Sequence, residues 1–412
     1  MNPIAVMVSI AGAAILIICL RQLLNGGIAK FSVAIPVMSL AVLGMLGDTT
    51  LFTGGRVLQI SATVIVVGGS LFPLAASWGS IRAARVPLHL AAVPLLSLWM
   101  FAVNAVGYPS LTTLATFERL APVLVWTMVV ALICTRSLTF EDLTLIACAA
   151  FGLACVLASF VALPFTPCTQ FKCGPFGALF AGPFTSENYF ARLACVVLLC
   201  AFFNTNTRAK WLIVLTASFV LYATGSRTSQ IALAAALLAA AVWVLLGLHE
   251  RSMRQVVGLV LPAGVLGVGL YLVYTAGPAD FSNRGFIWTL GRTALSADWL
   301  SGKGIDTWTP QVLERNYMHS QALLLLYSAG VVALVLYAVV IGGVIRSISS
   351  ESGPFKFAMA VLILILGLTE IVWNPAAVDG TVLLILPLLG MQVRASDLPG
   401  TADMPIVSKA RL

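Results

Sequence analysis

Residues 319–345 read HSQALLLLYSAGVVALVLYAVVIGGVI, 27 positions without an aspartate, glutamate, lysine or arginine. At 1.5 Å per residue such a helix reaches about 40 Å, more than the ~30 Å hydrocarbon core of a bilayer. The run is therefore read as a membrane-crossing helix. The segment before it is its opposite. Residues 277–318, GPADFSNRGFIWTLGRTALSADWLSGKGIDTWTPQVLERNYM, hold eight of the 38 charged residues: Asp280, Arg284, Arg292, Asp298, Lys303, Asp306, Glu314 and Arg315. A segment this polar does not face lipid, so His319 marks a membrane boundary and the charged stretch is a candidate seat of chemistry.

Outward from this junction the same apolar texture recurs. The chain is 60% hydrophobic and 9% charged, with a mean hydropathy of +1.02, against roughly 25% charged residues in soluble domains. Continuous apolar runs, rather than the alternation of a barrel, predict an all-α polytopic integral membrane protein. Spans are predicted near residues 3–20, 31–47, 57–76, 87–106, 118–134, 142–163, 188–203, 211–223, 229–248, 255–276, 319–345, 357–373 and 379–392. This makes about 12–13 transmembrane helices in a single domain over 1–412, with one long extracytoplasmic loop, 277–318, containing short helices. Met1 to Leu20 has no basic leader before its apolar stretch and Arg21 follows it, so it is read as the first span rather than a cleavable signal.

The connectors orient these spans. Arg21, Lys30, Arg82, Arg85, Arg136, Arg208, Lys210, Arg251, Arg254, Arg346 and Lys356, with Arg394, Lys409 and Arg411 of the tail, fall on one side. By the positive-inside rule that side is cytoplasmic. The opposite side holds Arg56, Arg119, Lys172, Arg192, Arg227, Arg284, Arg292, Lys303 and Arg315. These cations run against the rule and an arginine at membrane depth costs roughly 2.5–3.5 kcal/mol, so they are functional candidates. The basic residues are scattered and form no continuous patch with interleaved aromatics, which argues against nucleic acid despite the net charge of +8. Cys19, Cys134, Cys148, Cys155, Cys195 and Cys200 lie in apolar runs, where cysteine acts as a small hydrophobe. Cys168 and Cys173 alone lie in a loop, Pro167-Cys-Thr-Gln-Phe-Lys-Cys-Gly-Pro175 on the outer side, where they are expected to pair in a disulfide; the alternative is two thiols without a role.

Several chemistries find no support. Gly302-Lys303-Gly304 lacks the upstream glycine and the Ser/Thr of a phosphate-binding loop and reads as a turn. His249-Glu250 is followed by Met253 where a zinc protease has its second histidine. No Asp-x-Asp triplet is present to hold a metal against a nucleotide sugar, and His89, His249 and His319 are far apart in the topology. The chain is expected to work without metal or other cofactor.

Three short segments place cations at one membrane face: Thr224-Gly-Ser-Arg-Thr-Ser229, Asn283-Arg-Gly-Phe-Ile-Trp288 and Tyr317-Met-His-Ser-Gln321. Arg227 sits at a break between two helices, where its guanidinium and nearby N–H groups suit an anion; the alternative is a snorkelling interfacial arginine. Arg284 begins an amphipathic loop helix that presents Phe286, Ile287 and Leu290 to lipid and Arg284 and Arg292 to a polar cavity; a helix resting on headgroups is the alternative. His319 is the one outer histidine, either a proton acceptor or a structural residue. Arginines with one base suit a phosphate or diphosphate substrate, and at this location a lipid diphosphate.

Ser226-Arg227, Arg284 with Trp288, Gly302-Lys303-Gly304, His319 and Gly330, in this order over the C-terminal half, resemble the O-antigen ligase and polysaccharide polymerase superfamily. Gly182-Pro-Phe-Thr-Ser-Glu-Asn188 is similar to the family's segment before a helix. The resemblance implies a metal-independent glycosyltransferase. It moves a glycan from a polyprenyl diphosphate-linked oligosaccharide or polysaccharide donor, held in the membrane lipid, to a glycan acceptor on the outer face of the cytoplasmic membrane. Arg227 and Arg284 match the arginines that hold the diphosphate, and His319 the histidine that activates the acceptor. Ser320 stands where the family often has asparagine, and about twelve spans are usual there. The expected reaction is an inverting displacement. Arg292, Lys303, Arg192 and Asn188 are expected to contribute to substrate binding, and Glu370 to orient an arginine or serve as a structural partner. A transporter or flippase of a lipid-linked glycan is the competing class; apart from Arg192, mid-helix positions are nearly free of the charge that carriers often place at midplane.

Overall fold

A computed structural model describes residues 2–51, 55–76, 86–107, 113–135, 138–202, 207–246, 248, 250–295, 298–308, 318–348 and 353–390. Arg82, Arg85, Arg136, His249, Glu314, Arg315, Arg394, Lys409 and Arg411 lie outside these residues.

The chain is 78% helical. In order the elements are α1 (Pro3–Asn25), α2 (Ile28–Gly47), α3 (Gly55–Ala76), α4 (Leu88–Gly107), α5 (Thr113–Cys134), α6 (Phe140–Leu157), β1 (Phe165–Pro167), β2 (Ala178–Phe180), α7 (Glu187–Ala201), α8 (Thr207–Thr224), α9 (Arg227–Leu245), α10 (Arg251–Thr275), α11 (Asp280–Leu295), α12 (Gln321–Ser347), α13 (Gly353–Thr369) and α14 (Val382–Leu389). Each of the thirteen apolar runs is a helix. Six among the described residues, α1, α4, α6, α9, α10 and α12, are long and apolar enough to cross a membrane. The architecture is that of a membrane-embedded helical protein.

Two elements depart from expectation. The run predicted over 142–163 stops at Leu157, because Pro164 and the Pro/Gly-rich loop after it fold into an antiparallel hairpin pairing Phe165 with Phe180 and Thr166 with Leu179. The last run shortens to the eight residues of α14, which contains Pro387; at 1.5 Å per residue it extends only about 12 Å.

Contacts at the helix ends sort them onto two faces. On one, the Gly380 amide donates to Asp48 Oδ2 after α2 (2.9 Å), the Thr50 amide donates to Pro183 O (2.9 Å), and Asn104 near the end of α4 donates to Asp306 (2.7 Å). On the other, Phe202 stacks on Phe355 and Trp243 packs on Phe357, while Lys356 lies over Phe140. This is the alternation expected of successive spans, and it gathers the connectors after α6, α8, α10 and α13 at one end of the bundle.

The helix α12 is broken at Ala329 and Gly330, and the break is capped rather than left open. The Lys303 amide donates to Tyr327 O (2.7 Å), the Gly304 amide to Ser328 O (3.1 Å), and Trp99 Nε1 to Ala329 O (2.8 Å). Unpaired carbonyls inside an apolar bundle are costly, so the 298–304 loop acts as a backbone plug. Its approach needs glycines: a Cβ on Gly302 would lie 2.5 Å from the Ala329 nitrogen, and one on Gly330 2.1 Å from Leu300 O.

Candidate functional site

One wall of the site begins in the hairpin loop. Cys168 and Cys173 are joined by a disulfide, and inside this ring the Thr169 hydroxyl accepts from the amides of Phe171 (3.3 Å) and Lys172 (3.2 Å). The tight turn projects Lys172 to the start of α7, where its ammonium pairs with Glu187 and donates to Asn188 Oδ1 (3.1 Å). Asn188 Oδ1 also accepts from the Ser226 hydroxyl (3.0 Å), and Ser226 is the N-cap of α9. Arg227 follows at the first position of that helix, exposed, and donates to Phe171 O (2.5 Å). The disulfide loop, the α7 N-terminus and the α9 N-terminus are therefore one polar unit.

The facing wall comes from α11, α12 and the segment after α13. Before Arg284, Phe281, Ser282 and Asn283 all have left-handed φ values of 51°, 60° and 68°. Arg284 Nη2 then meets Glu370 Oε1 at 2.5 Å, and His319 Nδ1 lies 3.8 Å from Glu370 Oε2. Trp288 Nε1 donates to Met318 O (3.0 Å), tying α11 to the residue before the histidine. Gln321, in the first turn of α12, holds the non-helical segment after Glu370: its amide donates to Trp373 O (2.8 Å), and its oxygen accepts from the amides of Val372 (3.0 Å) and Trp373 (3.1 Å). Arg192, buried in α7, donates to Ile371 O.

Between these walls is a cavity of about 550 Å³, lined by residues including Lys172, Asn188, Arg227, Arg284 and His319. The size is in the range of small-molecule sites. Among the described residues, the non-glycine residues with left-handed φ are Phe281, Ser282, Asn283 and His319, and all four line this cavity. Left-handed backbone costs an L-residue roughly 1–2 kcal/mol, and such strain concentrates where function requires it.

Charge is arranged around Glu370, which lies beyond the end of α13. Burial pushes its carboxyl up, but His319, Arg192 and Arg284 more than offset this and hold it down at about 2. Its ionised form is thereby favoured, facing a guanidinium on one oxygen and an imidazole on the other. Nδ1 is the His319 ring nitrogen nearer the carboxylate, at 3.8 Å. Among the described residues no three His, Cys, Asp or Glu side chains converge to hold a metal ion.

Of the residues singled out in the sequence, Arg227, Arg284, His319 and Asn188 meet at the cavity, with Glu370 beneath two of them. Three take other positions. Arg292 Nη1 donates to the carbonyls of Val273 (3.0 Å) and Tyr274 (2.7 Å), capping the C-terminus of α10. Lys303 pairs with Asp298 at 3.5 Å beside the plug of α12. Arg192 sits under the cavity, supporting Ile371. Sequence reasoning counted Lys172 among the outer cations and quoted Gln321 beside His319, but gave neither a role of its own. Lys172 carries a signal, a lysine inside a two-cysteine turn on the face where cations are disfavoured; Gln321 carries none, since its partners are 51 and 52 residues away.

No protein-family model matches this sequence, and comparison with curated proteins returns no match.

Proposed function

We propose that the protein is a glycosyltransferase that moves a glycan from a polyprenyl diphosphate carrier to an acceptor hydroxyl at the outer face of the cytoplasmic membrane. The observation that supports it most is the convergence of Arg227, Arg284 and His319 on one cavity whose wall contains all four non-glycine residues with left-handed φ among the described residues. In this reading the thirteen apolar helices form one membrane domain of about 12–13 spans. The 277–318 segment, of which 296–297 and 309–317 lie outside the described residues, serves as an outer lid in this reading, and the polyprenyl chain stays in lipid while its diphosphate enters the cavity.

Arg227, Arg284 and Lys172 hold the diphosphate oxygens. His319 Nε2 takes the proton of the acceptor hydroxyl as that oxygen attacks the anomeric carbon. The new C–O bond forms on the face opposite the breaking bond to the diphosphate, so the configuration inverts. The lipid diphosphate departs as an anion stabilised by the cations, without a general acid. Glu370 stabilises the imidazolium that forms and releases Arg284 to share its charge with the leaving group.

The test is purified protein in detergent with a lipid-linked glycan and a glycan acceptor. Covalent product without a transmembrane gradient is expected. His319→Ala should lower kcat by about 10²–10⁴-fold, the usual range for a positioned base, and Arg284→Ala should also raise KM for the donor. Wild-type rates in both folded variants, or headgroup movement across liposomes with no product, defeat the proposal.

A further inference from the structure

Beneath the cavity, α7 carries a cation that is not among its lining residues. Arg192 follows Asn188 by four residues, on the same side of the helix. Asn188 lines the cavity, whereas Arg192 is buried below it and donates to Ile371 O, the carbonyl next to Glu370. Its guanidinium carbon lies 5.1 Å from the centre of the Tyr189 ring. The 370–381 segment, non-helical throughout, runs from Glu370 and ends beside that same tyrosine. There Asp48, just past α2, accepts from the Gly380 amide (2.9 Å), and Asp379 Oδ1 accepts from the Thr381 amide (2.9 Å) and hydroxyl (2.5 Å). A Cβ on Gly380 would lie 1.7 Å from Tyr189 Oη and 2.7 Å from Asp48 Oδ2, so the tyrosine, Asp48 and the residue after Asp379 close on one point.

Asp48 and Asp379 are both half-buried, and their charges act on one another. Two such carboxyls do not both ionise at ordinary carboxylate pH, and their protons belong to the pair. Lost hydration and Asp379 push Asp48 up to about 7, and lost hydration also raises Asp379; Arg192 opposes both shifts, and Tyr189 opposes the first. Among the described residues, the charged and titratable groups that act on Asp48 are therefore Asp379, Arg192 and Tyr189. Those that act on Glu370 are His319, Arg192 and Arg284. Arg192 belongs to both sets. One guanidinium, with its five N–H donors, stands between the aspartate pair and Glu370.

We propose that Arg192 is a positioning residue shared by Glu370 and the Asp48–Asp379 pair, and that a proton held by the pair tunes anion binding in the cavity above. This coupling rests on the reading of that cavity as an anion site. With one proton the pair carries a single negative charge, which Arg192 balances. When that proton leaves to water the pair carries two, and the second competes with Glu370 and Ile371 O for the same guanidinium. Glu370 then draws more on Arg284, which is withdrawn from the cavity, and the added negative charge beneath repels an anion within it. Affinity for an anion is therefore highest while the pair is protonated and falls as pH rises through about 7.

The test uses purified protein in neutral detergent. Infrared difference spectra between about pH 5.5 and 8.5 should show the loss of a protonated carboxyl, absent in Asp48→Asn, which keeps the oxygen that accepts from the Gly380 amide. Arg192→Gln should move the midpoint of that band up and Arg192→Lys should restore it, a change that packing alone does not produce. Sulfate, whose charge is constant over this range, is then titrated calorimetrically into His319→Gln protein, so that no imidazole in the cavity changes charge. Its affinity should fall about tenfold from the lower to the higher pH, the order expected for one unit charge acting through the protein, and should stay level when Asp48→Asn is added. Equal sulfate affinity at both pH values, a fall that persists with Asp48→Asn, or an infrared midpoint unmoved by Arg192→Gln overturns the coupling and leaves the anion site standing. If Arg192→Gln does not fold, the Asp48→Asn comparison decides alone. Absence of sulfate binding at every pH removes the anion site and the coupling with it.

Discussion

Replacing Glu370 by glutamine removes a charge and leaves the shape of the side chain almost unchanged. The carboxylate is 4% exposed and meets Arg284 at 2.5 Å, while Arg284 is itself 15% exposed and opens on the cavity. Removing one partner of a buried pair costs about 3–5 kcal/mol, because the other charge is left uncompensated. Partial access of Arg284 to water places the expected loss near the lower bound, about 3 kcal/mol. Two further results follow from the same geometry. Inorganic diphosphate, a counter-charge for Arg284, should stabilise Glu370→Gln more than the wild type, because a ligand stabilises the native state according to its affinity. Arg284→Gln combined with Glu370→Gln should lose less than the sum of the two single losses, since the second change removes a charge already orphaned. Equilibrium unfolding in mixed micelles, with and without diphosphate, measures all three. Additive losses, or a Glu370→Gln protein as stable as the wild type, would refute the pairing as the organiser of the site.

Three other perturbations test the surroundings. Burial and the neighbouring Asp379 raise the Asp48 carboxyl from 3.8 to about 7, with Arg192 and Tyr189 opposing; the folded state therefore keeps a proton that the unfolded state releases, and stability falls as pH rises between about 4 and 7. Asp48→Asn keeps the oxygen that accepts from the Gly380 amide and should flatten that window, as melting temperatures from pH 4 to 8 will show. Gly330→Ala places a Cβ 2.1 Å from Leu300 O at φ 69° and ψ −165°, and should destabilise by at least about 2 kcal/mol in the same unfolding assay; a neutral result would mean that the plug of α12 does not need its close approach. Cys168→Ser with Cys173→Ser removes roughly 2 kcal/mol of loop constraint and should raise KM for the lipid diphosphate more than it lowers kcat, because the ring carries Lys172 and Phe171 O; an unchanged KM would detach the loop from substrate binding.

What was legible in the sequence follows from how local each signal is. Apolar runs announce helices because every backbone group in lipid must bond within its own segment, and all thirteen were found. Arg227, Arg284 and His319 were legible as polar residues at helix boundaries on one face. Arg292 carried the same label, but its job is decided by three carbonyls at and just past the end of α10, 16 to 19 residues away, and no spacing rule separates a capping arginine from a ligand-binding one. Lys303 misled in a similar way. The function of its tripeptide lies in the flanking glycines and the backbone, which dock on a helix break that the apolar run of α12 conceals. The hairpin escaped because strands of three residues leave no period to read.

The most consequential feature was the least visible. Three successive left-handed residues before Arg284, and a fourth at His319, bring the two side chains to one carboxylate. Asn283 and His319 are of types that tolerate that backbone better than most, but Phe281 and Ser282 are not, so local propensity does not announce a run of three. The strain persists because contacts around it over-determine the geometry: Gly277 donates to Asp280 Oδ2 (2.7 Å), Trp288 holds Met318, and Gln321 staples the segment that follows Glu370. Each contact fixes a different chain segment, and none bears on the substrate directly. A relaxed loop of the same composition would leave Arg284 free to follow solvent and His319 free to turn; in the proposed function, the cost of the left-handed turns is thus the cost of a cavity in which cation and base are already placed when the substrate arrives.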